Sequence, residues 1–197
     1  MNNTVSRKEE KRKLTGFAAE VYEWLESIAF AFAIAVLLFT FVFRIVSVSG
    51  SSMDPTLADQ DRLIVSCLFY EPEYNDIVII AGLGNEDGEL YNEPLVKRVI
   101  ATEGQSVQIT GDRVYVDGKE IKDSFGTTSN FPSGDPSGYL DLSSPTVVPE
   151  GCVFVLGDNR PISRDSRHKT VGFVPETYIL GKVILRMYPF DSFGTVE

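Results

Sequence analysis

The chain has 197 residues, of which 43% are hydrophobic, and its mean hydropathy is −0.01. These values exclude both a disordered tail and a polytopic membrane protein. The net charge of −10 at pH 7 excludes a nucleic-acid partner, because phosphates are bound by basic surfaces. The charge is unevenly divided: residues 1–44 carry +1 and residues 45–197 carry −11.

The most hydrophobic stretch is 28–43, which has no charged residue. It is slightly shorter than the roughly 20 residues that span a bilayer, but apolar residues at helical spacing extend the predicted helix back to about Thr15. A buried core helix and a cleavable signal peptide are the alternatives, the latter because small residues stand at 47–49. The leader before the apolar stretch is long for a signal peptide, so we predict a retained transmembrane anchor over 27–44.

Basic residues before the anchor outnumber those after it, where Arg44 stands alone. Cytoplasmic flanks of membrane helices are enriched in Lys and Arg. The sequence therefore predicts a cytoplasmic segment over 1–26, a single pass through the cell membrane, and an extracytoplasmic domain over 45–197, with the lipid bilayer as a partner.

Beyond the anchor the pattern changes to short runs rich in Val and Ile, which are typical of strands. No stretch after residue 50 has the length and period of a helix, and Asp117-Gly118 is typical of a tight hairpin turn. The predicted strands are Arg62–Tyr70, Asp76–Ile80, Leu95–Ala101, Ser106–Thr110, the hairpin Arg113–Ile121, Val153–Leu156 and Lys182–Tyr188. The predicted fold is mainly β: one transmembrane helix followed by an antiparallel all-β domain, with a Ser/Thr/Gly/Pro-rich excursion at 124–145.

Two cysteines, Cys67 and Cys152, lie in or beside predicted strands. An extracytoplasmic location permits a disulfide between them, and two buried thiols are the equally weighted alternative. Pairing depends on the separation of the Cα atoms, so both alternatives stay open at the level of sequence.

Three segments carry candidate chemistry. Ser52 follows the anchor in a turn bounded by Gly50 and Pro55, but a serine hydroxyl needs a base to become a nucleophile. Lys97 stands on a predicted strand and shares a face with apolar neighbours. Burial there lowers the pKa of a lysine, which can then act as a general base near neutral pH. The alternatives are a linker serine and a surface lysine.

The third segment, 157–167, is a dense run of donors and acceptors. Ser163 is a candidate for orienting a neutral lysine amine. Asp165 and Arg167 are candidates for an ion pair, which on a surface would contribute less than about 1 kcal/mol.

With these segments in order, the sequence resembles the type I signal peptidases, which are membrane-anchored Ser–Lys proteases, in their single-anchor Gram-positive form. The resemblance covers nearly the whole chain. It rests on the anchor and on the motifs VSGSSMDPTL, DIVII, KRVIATEGQ, GDNRPISRDSR, VGFVP and GKVILRMYPF. It implies a serine endopeptidase that removes N-terminal signal peptides from exported precursor proteins after small residues of the Ala-X-Ala type, with no cofactor and no metal.

The resemblance also implies roles for individual residues. Ser52 matches the nucleophile and Lys97 the general base. The other matches are Ser163 to the serine that hydrogen-bonds the lysine, Asp165 and Arg167 to a salt bridge that shapes the site, Arg98 to the arginine after the base, and Met53 to a residue lining the substrate pocket. Gly50 stands where some members have a serine that assists the oxyanion hole, and it is grouped with Ser52 and Met53 as an oxyanion or substrate-binding residue. The Ser52 N–H is the identifiable donor, and the second donor stays open.

Two alternatives belong to other classes. A sortase-like transpeptidase would use Cys152 with His168 and Arg160, although neither thiol has that family's sequence setting. A catalytically inactive, membrane-tethered β-module would be favoured if Ser52 or Lys97 were missing, and both are present. His168 is the only histidine and follows Arg167 at the end of the polar segment, where an exposed or capping role is expected.

Overall fold

The computed structural model of the chain describes residues 2–68, 70–81, 94–122, 124–125, 128 and 136–196. The chain divides into two compact units, Met1–Val42 and Phe43–Glu197. The first is a helix and the second is built mainly from antiparallel strands.

Helix α1 runs from Asn2 to Phe41, so it begins well before the predicted start near Thr15. Its segment Ala19–Thr40 has 22 residues and a mean hydropathy of 1.8. At 1.5 Å per residue this segment is about 33 Å long, enough to cross the roughly 30 Å of bilayer hydrocarbon. The hydroxyls of Ser27 and Thr40 donate to carbonyls one turn earlier in the helix, which satisfies them without water.

The second unit contains a seven-stranded and a four-stranded antiparallel sheet among the described residues. The strands are β1 (Phe43–Ser47), β2 (Arg62–Ser66), β3 (Ile77–Ile80), β4 (Leu95–Ala101), β5 (Ser106–Thr110), β6 (Arg113–Val116), β7 (Lys119–Glu120), β8 (Thr146–Val147), β9 (Cys152–Leu156), β10 (Val174–Pro175) and β11 (Ile179–Tyr188). The large sheet has the order β1-β2-β11-β3-β4-β9-β10 and the small one β7-β6-β5-β8. The predicted mainly β fold with one N-terminal helix is confirmed.

Most predicted strands coincide with observed ones, and the hairpin turns at Asp117-Gly118, both with positive φ. The predicted Arg62–Tyr70 strand ends earlier, at Ser66. Strand β1 was not predicted, because its apolar residues continue the composition of the preceding helix. It pairs with β2 from Phe43↔Ser66 to Ser47↔Arg62. After residue 50, the only helical turns in the described part are Pro136–Gly138, Glu176–Tyr178 and Phe190–Ser192.

Part of the predicted excursion at 124–145 lies outside the described residues. Within the described part, Leu142 is 1% exposed and joins the apolar cluster between β4, β9 and the small sheet. This end of the excursion therefore contributes to the core.

Strand β4 lies between β3 and β9 near the middle of the large sheet, and all its residues after Leu95 are buried. The segment that follows β1 packs two apolar side chains, Met53 and Leu57, into the core. These two elements, the central strand and the anchored segment, carry the predicted base and nucleophile.

Candidate active site

The side chains of Ser52 and Lys97 meet although they are 45 positions apart in the chain. Lys97 Nζ lies 2.8 Å from Ser52 Oγ and 2.8 Å from the Val96 carbonyl oxygen. A proton can pass between two such atoms without rearrangement of the backbone.

Lys97 is 2% exposed, since it stands on a strand buried between two others. Burial lowers the pKa of Lys97 to about 8, while the carboxylates of Asp165 and Asp158 partly oppose this shift. At pH 7 about a tenth of the amine is therefore unprotonated, and about half of it at pH 8. In that form its nitrogen can accept the hydroxyl proton of Ser52.

The segment after Ser52 is held in place on both sides. Met53 and Leu57 are fully buried, and the Leu57 N–H donates to the Met53 carbonyl oxygen at 2.9 Å. Thr56 Oγ1 donates to Asp158 Oδ2 at 2.5 Å, and Arg186 Nη1 donates to the Thr56 carbonyl oxygen at 3.1 Å. Met53, predicted to line a substrate pocket, is thus placed by the structure in the core beneath the serine.

Gly50 precedes the serine by two residues and is exposed. Its N–H donates to Asp59 Oδ1 at 2.8 Å, which also lowers the pKa of Asp59. This bond directs the Gly50 N–H to the Asp59 carboxylate, so the structure gives no support to Gly50 as the second oxyanion donor.

The loop after β9 contacts the backbone of Ser51 and Ser52. The Asn159 N–H donates to the Ser52 carbonyl oxygen at 3.0 Å, and Asn159 Nδ2 donates to the Ser51 carbonyl oxygen at 3.0 Å. At Gly157, a Cβ atom would lie 2.5 Å from the Ser52 carbonyl oxygen and 2.1 Å from Ser163 Oγ. Only glycine allows this approach without displacing one of the two segments.

Ser163, predicted to hydrogen-bond the lysine amine, is 5% exposed and lies against Gly157. Its Oγ has no hydrogen-bond partner among the described residues, so the predicted bond to Lys97 is not formed in this structure. The amine is directed instead toward Ser52 and the Val96 carbonyl oxygen.

Two buried ion pairs support this loop. Arg167 contacts Asp165 through two nitrogens, both at 2.8 Å, and both side chains are 0% exposed. The surface pair considered from the sequence is therefore a buried one. Arg98 makes a similar two-point contact with Asp158, at 2.9 and 2.7 Å.

Sequence reasoning missed three residues of this site: Gly157, Asp158 and Asn159. All three lie in the polar segment that was noticed, directly after a buried strand. The signal that could have found them is the antiparallel pairing of β4 with β9, which brings Arg98 opposite Leu156 and thus close to Asp158.

The residues of the sortase-like alternative have other surroundings. Burial and, to a smaller extent, Glu176 raise the pKa of the Cys152 thiol, whereas reactive cysteines have a lowered pKa. His168 Nδ1 lies 2.7 Å from Thr170 Oγ1, and its ring packs edge-on against Tyr139. Among the described residues, no three His, Cys, Asp or Glu side chains form a group suited to a metal ion.

Both cysteines are free thiols in the structure. Strands β2 and β9, beside which they stand, are separated by three strands of the same sheet. At about 4.8 Å per strand, this places them about 19 Å apart, whereas a disulfide needs Cα atoms within about 7 Å. The disulfide considered from the sequence is therefore excluded, and both thiols are half-buried.

Comparison with known proteins assigns this chain to a family. A family model described as "Signal peptidase, peptidase S26" matches residues 21–188. The chain belongs to this signal peptidase family. Two similar relatives agree: Signal peptidase IB of Staphylococcus aureus (strain COL) is 33% identical, covering 88% of this chain and 93% of that protein. Signal peptidase I of Bacillus licheniformis is 34% identical, covering 92% of this chain and 96% of that protein.

Among solved structures, a signal peptidase I from Enterococcus faecalis V583 is 28% identical and covers 57% of this chain and 97% of its own, with a TM-score of 0.41. The family membership and the enzyme class predicted from the sequence, a signal peptidase I, are confirmed by the family model and the curated relatives.

Proposed function

We propose that this signal peptidase family member is a membrane-anchored serine endopeptidase that removes signal peptides from exported precursors, with Ser52 as nucleophile and Lys97 as general base. The observation that carries the proposal is the 2.8 Å contact between Lys97 Nζ and Ser52 Oγ, made by a lysine that is 2% exposed. Burial lowers the pKa of this lysine to about 8, which makes it suitable as a base.

The first half of the reaction is acyl transfer. The neutral amine of Lys97 accepts the proton of the Ser52 hydroxyl while Oγ attacks the carbonyl carbon of the scissile peptide bond. The tetrahedral intermediate collapses when the lysine ammonium returns this proton to the leaving amine. The serine then carries the signal peptide as an ester.

In the second half, Lys97 takes a proton from water, which attacks the ester carbonyl, and the same proton is returned to Ser52 Oγ. Negative charge develops on the carbonyl oxygen in both halves. We assign the Ser52 backbone N–H as one donor to it. The bond from Asn159 Nδ2 to the Ser51 carbonyl oxygen supports this assignment, because that carbonyl lies in the same peptide plane as the Ser52 N–H.

The buried ion pairs have a positioning role in this proposal. Two ion pairs hold the loop that contacts Ser52 in place: Arg98 with Asp158, and Arg167 with Asp165. Ser163 fills the space beside Gly157, where its Oγ is close enough to exclude any larger side chain at that position. Met53 anchors the serine to the core.

The proposed substrates are precursor proteins with small residues before the cut, of the Ala-X-Ala type. An extended peptide that adds to a strand edge places alternate side chains into pockets, which accounts for a preference at two alternate positions. The proposed topology has the basic N-terminal end of α1 in the cytoplasm, its apolar part in the cell membrane and the β-rich unit outside. The sequence-based boundary after residue 44 moves to Val42, because Phe43 and Arg44 belong to β1 and pair with β2. The apolar segment Ala19–Thr40 supports the anchor, and the basic residues before it support the orientation.

The test uses the full chain in detergent with a precursor that carries an Ala-X-Ala site. Wild-type protein is expected to release the mature protein with one new N-terminus. Ser52→Ala and Lys97→Met are expected to release none, while Ser49→Ala and Lys119→Met, which alter exposed residues outside the dyad, keep wild-type rates. Cleavage by Ser52→Ala would overturn the proposed nucleophile.

Thiol alkylation separates this proposal from the sortase-like alternative. Treating the wild-type protein with an alkylating reagent until both thiols are modified is expected to leave cleavage unchanged. Loss of cleavage on alkylation, matched by loss in Cys152→Ser, would instead favour a cysteine nucleophile.

A further inference from the structure

The excursion after β7 reaches the site through one aromatic ring. The guanidinium carbon of Arg98 lies over the Phe125 ring at 4.9 Å from its centroid, and that of Arg160 lies over the same ring at 5.4 Å. The face of an aromatic ring carries partial negative charge, so both cations are attracted to it. Apolar packing alone does not explain why two arginine side chains contact the same ring.

Each of these arginines holds a different part of the loop after β9. Arg98 binds both carboxylate oxygens of Asp158, and Arg160 Nε donates to the Gly157 carbonyl oxygen at 3.1 Å. Both arginines are nearly fully buried, at 2% and 1% exposed, so their positions depend on close contacts. Asn159, which follows Asp158 in this loop, donates its N–H to the Ser52 carbonyl oxygen.

A second contact from the same segment reinforces the first. Thr128 is 1% exposed, and its hydroxyl accepts a hydrogen bond from Arg160 Nη1 at 2.6 Å. The Thr128 N–H donates to the Asp112 carbonyl oxygen at 2.8 Å, in the turn between β5 and β6. The excursion is thereby tied both to the small sheet and to the arginines beside the site.

We propose that Phe125 is a positioning residue of the peptidase site, whose ring fixes Arg98 and Arg160 and, through them, the loop that orients Ser52. This inference rests on the proposed Ser52–Lys97 function. It assigns a role in catalysis to a described residue of the Ser/Thr/Gly/Pro-rich excursion. Phe125 acts through the two arginines and the loop, with no role in binding the peptide.

Positioning has a kinetic signature. Displacing a nucleophile by a fraction of an ångström slows the chemical step, whereas contacts that hold the substrate are unchanged. Leucine retains apolar packing but lacks the charged ring face, so Phe125→Leu is expected to lower kcat about tenfold and leave KM within twofold. Tyrosine retains the ring face, so Phe125→Tyr is expected to keep kcat within about threefold of wild type.

Phe173 provides a matched control. It is a half-buried phenylalanine that packs against Phe154, with ring centroids 6.0 Å apart, in an apolar cluster. Phe173→Leu removes a ring of similar exposure from the domain. It is expected to lower the melting temperature and to leave kcat within twofold at a temperature where the protein is folded.

The experiment measures kcat and KM of the full chain in detergent for wild type, the two Phe125 variants, Phe173→Leu and Ser52→Ala. Wild-type kcat in Phe125→Leu, an equal loss in Phe125→Tyr, a loss confined to KM, or an equal loss in Phe173→Leu would each overturn the positioning role. Failure of the proposed function is recognised separately: Ser52→Ala then cleaves as wild type does, or wild type releases no product.

Discussion

Lys97 is an ionisable side chain in a position that disfavours its charge. It is 2% exposed, and its amine is hydrogen-bonded to a hydroxyl and a carbonyl oxygen. The carboxylates of Asp165 and Asp158, in the loop after β9, partly oppose the effect of burial. Burial of a lysine costs free energy whenever the amine is protonated. That cost and the proposed chemistry have one origin, because the neutral amine is both the less costly form and the base.

The first prediction concerns the pH dependence of cleavage. Since the pKa of Lys97 is lowered to about 8, the neutral amine increases as pH rises through this value. We expect kcat to rise with pH, with a midpoint near 8, and to level off above it. Initial rates from pH 5 to 10 test this. A rate that is already maximal at pH 5 would contradict a neutral lysine as base.

The second prediction concerns stability. Between pH 8 and 10.5 the unfolded chain binds a proton at this lysine that the folded chain does not, so the free energy of unfolding rises with pH there. Below pH 8 the buried and protonated Lys97 lowers the free energy of unfolding by its full amount, about 3 kcal/mol.

Lys97→Met is therefore expected to be inactive but to melt several degrees higher than wild type at pH 7. The difference should shrink toward pH 10.5, and thermal unfolding at both pH values measures it. A Lys97→Met variant less stable than wild type at pH 7 would contradict a buried, destabilising lysine.

The two residues of the proposed dyad were named from sequence by a local signal in each case and by the family resemblance. The local signals are a serine in a Gly/Pro-bounded turn and a lysine within a β-branched run. Gly157 and Asp158 have no such signal. Their roles depend on which strand lies beside β9 and on how closely the Ser52 backbone approaches, and neither is encoded by neighbouring residues. The missing bond between Ser163 and Lys97 is a similar case, since rotamers in a packed site depend on all surrounding atoms.

At the scale of elements, the loop between β9 and β10 supports the site. It has a backbone contact at Gly157, a bond from Asn159 to Ser52, and the buried pair of Asp165 with Arg167. Each contact is formed by a different kind of interaction, so each can be removed separately.

The third prediction removes the close approach. Gly157→Ala places a Cβ against the Ser52 carbonyl oxygen, and backbone on that side cannot yield as a flexible side chain would. Displacements of about 1 Å at such a site cost about 100-fold in rate, and we expect a loss of kcat of that size. Gly194→Ala is the control, because nothing lies within 4 Å of the added methyl group. Similar activity in both variants would contradict the close contact.

The fourth prediction compares two ion pairs. Asp165→Asn leaves the guanidinium of Arg167 buried without its charge partner and is expected to cost about 3–5 kcal/mol of unfolding free energy. Glu120→Gln breaks the pair with Arg113, whose side chain is 61% exposed, and is expected to cost less than about 1 kcal/mol. Urea unfolding of both variants gives the two values. Equal costs would mean that the Asp165 site is solvated.

Strand β1 illustrates why some elements could not be predicted. Phe43, Ile45 and Val46 follow an apolar helix, and composition alone does not separate the end of a helix from the start of a strand. Pairing with β2 decides the conformation, and pairing is a long-range property. The strands with alternating β-branched residues and clear turn signals, such as Ser106–Thr110, were predicted with the observed bounds.

At the scale of the whole molecule, the chain is a helix followed directly by an independent β-rich unit. The second unit begins at Phe43 and contains its own apolar clusters. A unit of about 150 residues can bury enough surface to fold by itself. The boundary is sharp because a single residue, Val42, separates α1 from β1.

The fifth prediction tests this boundary. A protein starting at Phe43 retains β1 and is expected to fold in solution and to cleave a short soluble peptide. A protein starting at Ser49 loses β1 and the buried Val48 and exposes the edge of β2, so its melting temperature is expected to be lower by several degrees or more. Circular dichroism during heating gives the melting temperatures of the two shortened proteins. Equal stability would mean that β1 is dispensable.

Cys67 follows β2 and Cys152 begins β9, and three strands lie between β2 and β9. This separation of the two free thiols has a consequence for how the protein matures. No oxidant and no disulfide isomerase is needed to complete the fold, although the proposed location is one where disulfides persist. The β-rich unit can therefore be produced in a reducing cytoplasm, and its assembly does not depend on the redox state of the compartment in which it works.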